Sequence, residues 1–203
     1  MIEPLTLAGH RVTLEPLSPA HVDDLVAAAS ENRETYGWTA VPDGVDPMRT
    51  YVQGLLADAA AGQVVPFAQR RASDGVIVGC TRYMELRFRP GRAVPDEVEV
   101  GGTWLAASAQ RTAVNTEAKL LLFSHAFDDW HVQRLQLCTD ARNERSRSAI
   151  ARVGASFEGV LRQHRTSHVV GEEGRARDTA VYSIVSAEWP AVRARLTGML
   201  GAG

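Results

Sequence analysis

Between Trp104 and Lys119 the chain runs from an apolar, strand-like stretch through a loop of small residues into a helical pattern. The first turn of a helix offers amides with no intrahelical acceptor, and its dipole favours negative charge. A strand-loop-helix junction can therefore hold a pyrophosphate mainly through backbone N–H groups. Arg111 and Thr112 stand where their side chains can add to that grip. Upstream, Glu97-Val98-Glu99-Val100 alternates polar and apolar, which puts both carboxylates on one face of a strand, either a solvated face or a functional one. Downstream, Asn143 and Ser146 open a helical run, where residues of these types commonly serve as caps.

Other residues carry weaker chemical signals. Tyr36, Trp38 and Thr39 crowd a loop rich in Pro and Gly, where large aromatics serve a pocket or plug the edge of a core with equal readiness. His125 reads as a packed or surface histidine, and Arg162, His164 and Arg165 form a small basic cluster that more often meets solvent than a ligand. Cys80 and Cys138 are the only cysteines, each in an apolar strand-like stretch, and no His/Cys cluster has metal-ligand spacing. They read as free buried thiols of a reducing compartment, without a catalytic part.

The elements that must position these residues follow from periodicity. Val12, Leu14 and Leu17 mark an opening strand, and Ser18-Pro19 starts a helix through Val22, Leu25 and Val26. After the loop of Asn32 to Pro47, a second helix is predicted over Pro47 to Ala61. Val64 to Arg70 and Val76 to Phe88 make a hairpin about Ser73-Asp74-Gly75. The strand from Glu97 to Leu105 contains Gly101-Gly102, which predicts a bulge. A helix over Thr116 to Trp130, a strand over Val132 to Cys138 and a helix over Asn143 to Val153 come next. Phe157 to Arg162 and Ala180 to Val185 close the sheet around a polar loop, His168 to Asp178, and the glycine-rich tail is expected to fray. The order β, α, α, β, β, β, α, β, α, β, β is mixed α/β and disfavours a doubly wound dinucleotide fold.

Composition bounds the rest. At 203 residues the chain fits a single domain, 1–203 with its core over about 7–196. Lys and Arg number 22 against 24 Asp and Glu, a balance that argues against nucleic acid as partner. The N-terminus has no basic start followed by a long apolar core, and no stretch approaches ~18 apolar residues, so a cytoplasmic protein without membrane contact is expected.

The segment from Gln110 to Thr116 resembles the coenzyme A pyrophosphate loop of the GNAT N-acetyltransferase superfamily, Gln/Arg-x-x-Gly-x-Gly/Ala, with Gln110, Ala113 and Asn115 at the three marked positions. Both small positions depart from the pattern. Glu99-Val100-Gly101, Asn115 to Leu121, Asn143 to Ala155, Phe157 to Arg162, Arg177-Asp178, Tyr182 to Ile184 and Glu188-Trp189 follow in the order of the branch that contains the ribosomal-protein N-terminal (alanine/serine) acetyltransferases. The resemblance runs from about Leu7 to Trp189. It implies a mixed α/β GNAT fold, one central, mostly antiparallel sheet splayed between its fourth and fifth strands and flanked by helices. It further implies acetyl-CoA as cosubstrate, no metal, and direct transfer of acetyl to a primary amine, on a protein N-terminus or a small molecule. A homodimer is common among such proteins.

Residue by residue, the resemblance places Thr103, Trp104 and Leu105 along the pantetheine and Gln110, Arg111, Thr112, Ala113, Val114, Asn115 and Thr116 at the pyrophosphate. Asn143 meets the pantetheine and Ser146 faces the thiol. Tyr36, Trp38, Thr39 and Tyr83 fall in the acceptor pocket. Where many relatives carry a tyrosine as general acid this chain has Ile150, leaving protonation of the thiolate to Ser146 or to solvent. Glu99 is the candidate base for the amine. Two alternatives stand beside this reading: a longer acyl donor such as succinyl, which would need Arg162 or Arg82 at the acyl terminus, and a non-catalytic acyl-CoA sensor. A nucleotide or nucleic-acid module is disfavoured by charge and strand order.

Overall fold

In a computed structural model, which describes residues 2–169 and 171–201, the alternation of Val12 and Leu14 becomes a strand with both side chains fully buried. Short β1 (Leu7–Ala8) precedes this β2 (Val12–Pro16). Helices α1 (Val22–Ser30) and α2 (Val45–Ala60) follow, then the hairpin β3 (Val65–Arg71) and β4 (Ile77–Arg87). Strand β5 (Glu97–Leu105) leads into α3 (Ala113–Ser124), after which come β6 (Arg134–Asp140), α4 (Glu144–Arg152), β7 (Ser156–Thr166), β8 (Ala176–Val185) and α5 (Trp189–Gly201).

The eight strands form one sheet in the order β1-β2-β3-β4-β5-β6-β8-β7. Every neighbouring pair is antiparallel except β5 and β6. One face packs on α3 and α5, with Phe67, Tyr83, Leu122, Phe123, Leu135, Ile184 and Leu196 among its fully buried side chains. On the other side α1 and α2 cover β3 and β4. The expected sheet and its splay are present, between β5 and β6 in this numbering because β1 adds a strand at the edge. The bulge at Gly101-Gly102 is present too: the register with β4 slips between Cys80 and Arg82, and Gly102 has φ of 57°. A side chain there would be strained, and its Cβ would collide with the guanidinium of Arg82.

Three boundaries differ from the sequence reading. Helix α3 begins at Ala113, three residues early, because Thr112 caps it by accepting from Val114 N at 3.3 Å. It closes in a π-turn over His125–Asp129. The β7–β8 hairpin extends to Thr166 and Ala176, so the end of the expected loop, Ala176 to Asp178, is strand; Val170 lies outside the described residues. The tail is helical through Gly201 where fraying was expected, because Trp189, Val192 and Leu196 recur at helical spacing and are buried. Met1, Ala202 and Gly203 also lie outside the described residues.

Candidate active site

The β5–β6 ladder consists of Glu97↔Arg134, Val98↔Leu135 and Glu99↔Gln136. Beyond Glu99, β5 continues to Leu105 and β6 to Asp140 without pairing, so the two strands part and leave main-chain groups facing an open gap. Glu99 stands at the apex of that gap, 2% exposed. It is not on a solvated face. Arg165 of β7 reaches across to bind both its oxygens, at 2.9 and 2.7 Å, and Gln136 Nε2 donates to it at 3.2 Å. Burial alone would push the carboxyl up, but the hydrogen bonds and charge of Arg165, with help from Gln136, outweigh it and hold Glu99 below its ordinary value. Glu97, less buried, pairs with Arg134 at 3.3 Å.

The loop after β5 turns sharply at Arg111, whose φ of 59° lies in the left-handed region that glycine occupies at least cost. That turn aims the first amides of α3 past the end of β5. The side chain of Gln110, expected at the pyrophosphate, instead braces the loop: it donates to Leu105 O at 2.8 Å and Thr35 Oγ1 at 3.0 Å, and accepts from Arg145 at 2.6 Å. Its amide is directed to Ala106 O and Ala107 O. Tyr36 OH donates to the same Leu105 carbonyl at 3.0 Å, so both lone pairs of that oxygen are occupied. What remains for an anion are the Arg111 side chain and the amides of Ala113 and Asn115; the Thr112 hydroxyl, expected to add to the grip, donates to Ala109 O at 2.7 Å and accepts from Val114 N, and the Thr116 amide closes the first helical turn on the N-cap.

Asn143 caps α4, accepting from Ser146 N at 3.0 Å, and is nearly buried; Ser146 is half-buried one turn away. Ile150 packs into the core, so no ionisable group stands at its position. Among the acceptor-pocket candidates, Trp38 is 36% exposed under the guanidinium of Arg142, 4.8 Å from the ring centroid, and reaches the end of β6 in this way. Tyr36 is buried edge-on against Trp104, and the amide of Thr39 closes its turn on Tyr36 O. Tyr83 is a correction. It is fully buried on the α3 face, its hydroxyl donates to Leu122 O at 2.6 Å, and its ring packs on Trp130 and Phe67, away from the gap. His125 is packed against Trp130 and paired with Asp129 at 2.7 Å. Burial pushes both Cys80 and Cys138 up to about 12, which leaves neither thiol nucleophilic at neutral pH.

Residues 11–156 match the family described as Acetyltransferase (GNAT) domain. The chain belongs to the GNAT acetyltransferases. A GCN5-related N-acetyltransferase from Brucella melitensis is 30% identical and superimposes with a TM-score of 0.79 over 97% of this chain and 86% of that one. A Bacillus subtilis (strain 168) protein, provisionally named as the ribosomal N-acetyltransferase YdaF, is 23% identical across 89% of this chain and 94% of its own length. RimJ of Mycobacterium smegmatis, solved in complex with CoA-disulfide, shares the fold with a TM-score of 0.76 at 22% identity, over 97% of this chain and 95% of RimJ.

Three residues that brace this GNAT site were not legible as such. Arg165 had read as part of a solvated cluster. Glu117 is buried, and its carboxylate accepts from the amides of His10 at 3.1 Å, Arg11 at 2.6 Å and Val12 at 2.8 Å, tying the first turn of α3 to the β1–β2 turn. Lys119 is buried beneath β5, where it donates to Thr103 Oγ1 at 2.8 Å; Thr103 in turn bonds Thr81 at 2.8 Å. Desolvation, with no carboxylate paired to it among the described residues, pushes the Lys119 amine down to about 7. Helical spacing and the "Thr-Glu-Ala-Lys" order of the resemblance both marked this helix, and neither shows that Glu117 and Lys119 turn inward.

Proposed function

We propose that this GNAT protein moves the acetyl group of acetyl-CoA to a primary amine, forming an amide by direct transfer, on a protein N-terminus or a small molecule. The observation that carries the reading is the β5–β6 ladder ending at Glu99, next to a helix whose first turn leaves the amides of Ala113 and Asn115 without a helical partner. When bound, acetyl-CoA supplies the activated acyl group. The amides of Ala113 and Asn115 hold its phosphates, with Arg111 adding side-chain donors. Unpaired main-chain groups of β5 beyond Glu99 orient the pantetheine arm in the manner of an added strand and polarise the thioester carbonyl.

The amine must lose a proton before it attacks. Glu99, kept ionised by Arg165, is a weak direct base, so its part in this reading is to place negative charge beside the amine and hold a water that carries the proton outward. Thiolate leaves with little need of an acid, since a thiol's ordinary pKa is ~8.5; Ser146 or solvent protonates it. The support for this reading is the family and the architecture of the gap.

The test is incubation of the protein with acetyl-CoA and a panel of primary amines, following release of free thiol and mass gain of the amine. Ala113→Pro belongs in the same experiment. Ala113 is the first helical residue and Thr112 is already extended, so proline keeps α3 while removing one N–H. Its affinity for acetyl-CoA is expected to fall about tenfold with an unchanged melting temperature, the worth of one hydrogen bond to a charged group. Acetyl-CoA binding without acetylation of any amine would convert the reading to that of an acyl-CoA sensor.

A further inference from the structure

The gap's polar face carries more positive charge than it neutralises. Ladder register fixes who shares that face. Glu99 pairs with Gln136, Gln136 with Ser183 and Cys138 with Val181, so the alternate positions of β8, continuing to Arg177, lie on Glu99's side, and Arg177 pairs with Arg165, which grips Glu99. From the opposite flank, Arg82 of β4 pairs with Gly101, and its guanidinium lies over Gly102.

Most arginines of this face have a carboxylate. Arg134 holds Glu158 at 2.5 Å and Glu97 at 3.3 Å, Arg142 holds Asp140 and Glu172, each at 2.8 Å, and Arg165 holds Glu99. Among the described residues Arg82 and Arg177 have no ion pair. Arg82 bonds the Tyr51 hydroxyl at a long 3.4 Å, and the Nε of each is buried without a partner. The acids nearby are committed: Asp140 to Arg142, Glu99 to Arg165, and half-exposed Glu85 lies 3.6 Å from Arg165. Desolvation pushes Arg177 down, and burial, then the charges of Arg177, Arg82 and Arg165, push the imidazole of His168 down.

A buried guanidinium lacking an anion is costly, and like charges gathered in one cleft add to that cost. A ligand's oxyanion relieves both, because guanidinium presents a fork that matches carboxylate or phosphate. We propose that the acceptor amine carries a carboxylate or phosphate in the same molecule, and that Arg82 and Arg177 bind this oxyanion while the amine faces the gap at Glu99. The proposal rests on the acetyl-transfer reading above.

The experiment compares kcat/KM with acetyl-CoA for a dipeptide as free acid and as C-terminal amide, and for an aminoalkyl phosphate and its amino alcohol. An acid or phosphate preference of about tenfold or more is expected in the wild type, whichever pair shows it naming the anion. That preference should fall about tenfold in Arg82→Gln and in Arg177→Gln, with acetyl-CoA affinity retained, and survive in Arg177→Lys, which keeps the charge. A ratio near one in the wild type, or a ratio unchanged in both glutamine variants, overturns the proposal and leaves acetyl transfer standing. Equally, if succinyl-CoA outperforms acetyl-CoA and only that preference is lost in Arg82→Gln, the anion belongs to the acyl chain and the proposal falls. Should acetyl-CoA bind and no amine react, the transfer reading falls by itself. The anion site is then decided by calorimetric titration of the N-acetylated dipeptide acid and its amide onto the coenzyme A complex, where equal binding, or none, overturns it.

Discussion

The two faces of strands β5, β6 and β8 are built from alternate residues of the same segments, yet they behave as different materials. Toward α3 and α5 lie Val98, Val100, Leu135, Leu137, Tyr182 and Ile184, all buried and apolar apart from the Tyr182 hydroxyl. Toward the gap lie Glu97, Glu99, Arg134, Gln136 and Ser183, tied by ion pairs and hydrogen bonds, together with Arg177, whose buried Nε has no partner. Burying a side chain of the first kind is worth about 1.5–3 kcal/mol, and the interactions are short-ranged and forgiving of exchange among similar shapes. The second face gains little net stability from its pairs but loses much when one partner goes. Stability and chemistry are thereby separated by a single residue step along the strand. Tight packing on one side holds the strands while their other side carries charge.

Glu99→Gln tests this separation most severely. Loss of the charge opposite Arg165 is expected to cost about 2–4 kcal/mol of stability and to slow turnover about 10²-fold, while acetyl-CoA affinity changes less than about twofold. Adding Arg165→Met should recover most of the stability and none of the rate, read by denaturant unfolding and by the acetylation assay. Recovery of both would reduce the pair to a structural device and erase the distinction between faces.

Lys119 sharpens the comparison from the apolar side, being a charge-bearing group placed where charge does not belong. Its folded-state pKa of about 7 lies below the ordinary 10.5. Between those values the unfolded chain holds a proton that the folded chain does not, so stability rises with pH through that window and the whole cost is present below about pH 7. Lys119→Met should raise stability at pH 6 by roughly 2–4 kcal/mol and flatten the slope between pH 7 and 10.5. Urea unfolding across that range measures it, and an unchanged slope would mean that the amine stays charged in place.

The smallest effect belongs to Tyr83→Phe. Removing a hydroxyl that bonds Leu122 O is expected to cost about 1 kcal/mol, with kcat/KM for the amine unaltered. A change in acceptor KM without loss of stability would return Tyr83 to the acceptor side.

What the sequence made legible is what local period encodes. Alternation in Glu97 to Val100 and in Leu135 to Cys138 identified both strands that part at the gap, and the run from Gln110 to Thr116 located the helix start, late by one turn because the Thr112 cap was not recognised. Period does not say which face of a strand meets which layer, so nothing in it countered the resemblance, which put Tyr83 in the acceptor pocket although its face of β4 meets α3. Nor does it reveal partners far along the chain: Glu99 and Arg165 are 66 positions apart, and neither residue type announces the other. Lys119, in mid-helix, has the residue type of a solvated position, and only the packing of α3 against β5 removes it from water. In α5, Gly198 and Gly201 hid a helix whose buried residues are three large side chains well spaced.

Glu117 gives the pyrophosphate loop a connection that runs backward through the molecule. Its carboxylate occupies the amides of His10, Arg11 and Val12, and Gly9 is the residue without a side chain that lets it approach, since a Cβ there would collide with the carboxylate. The same residue sits in the opening turns of α3, a few positions past the amides that would carry phosphate. Any ligand that restrains this helix end also restrains the N-terminal hairpin, so the solvent exchange of three backbone hydrogens near residue 10 becomes a remote gauge of occupancy at the loop near residue 113.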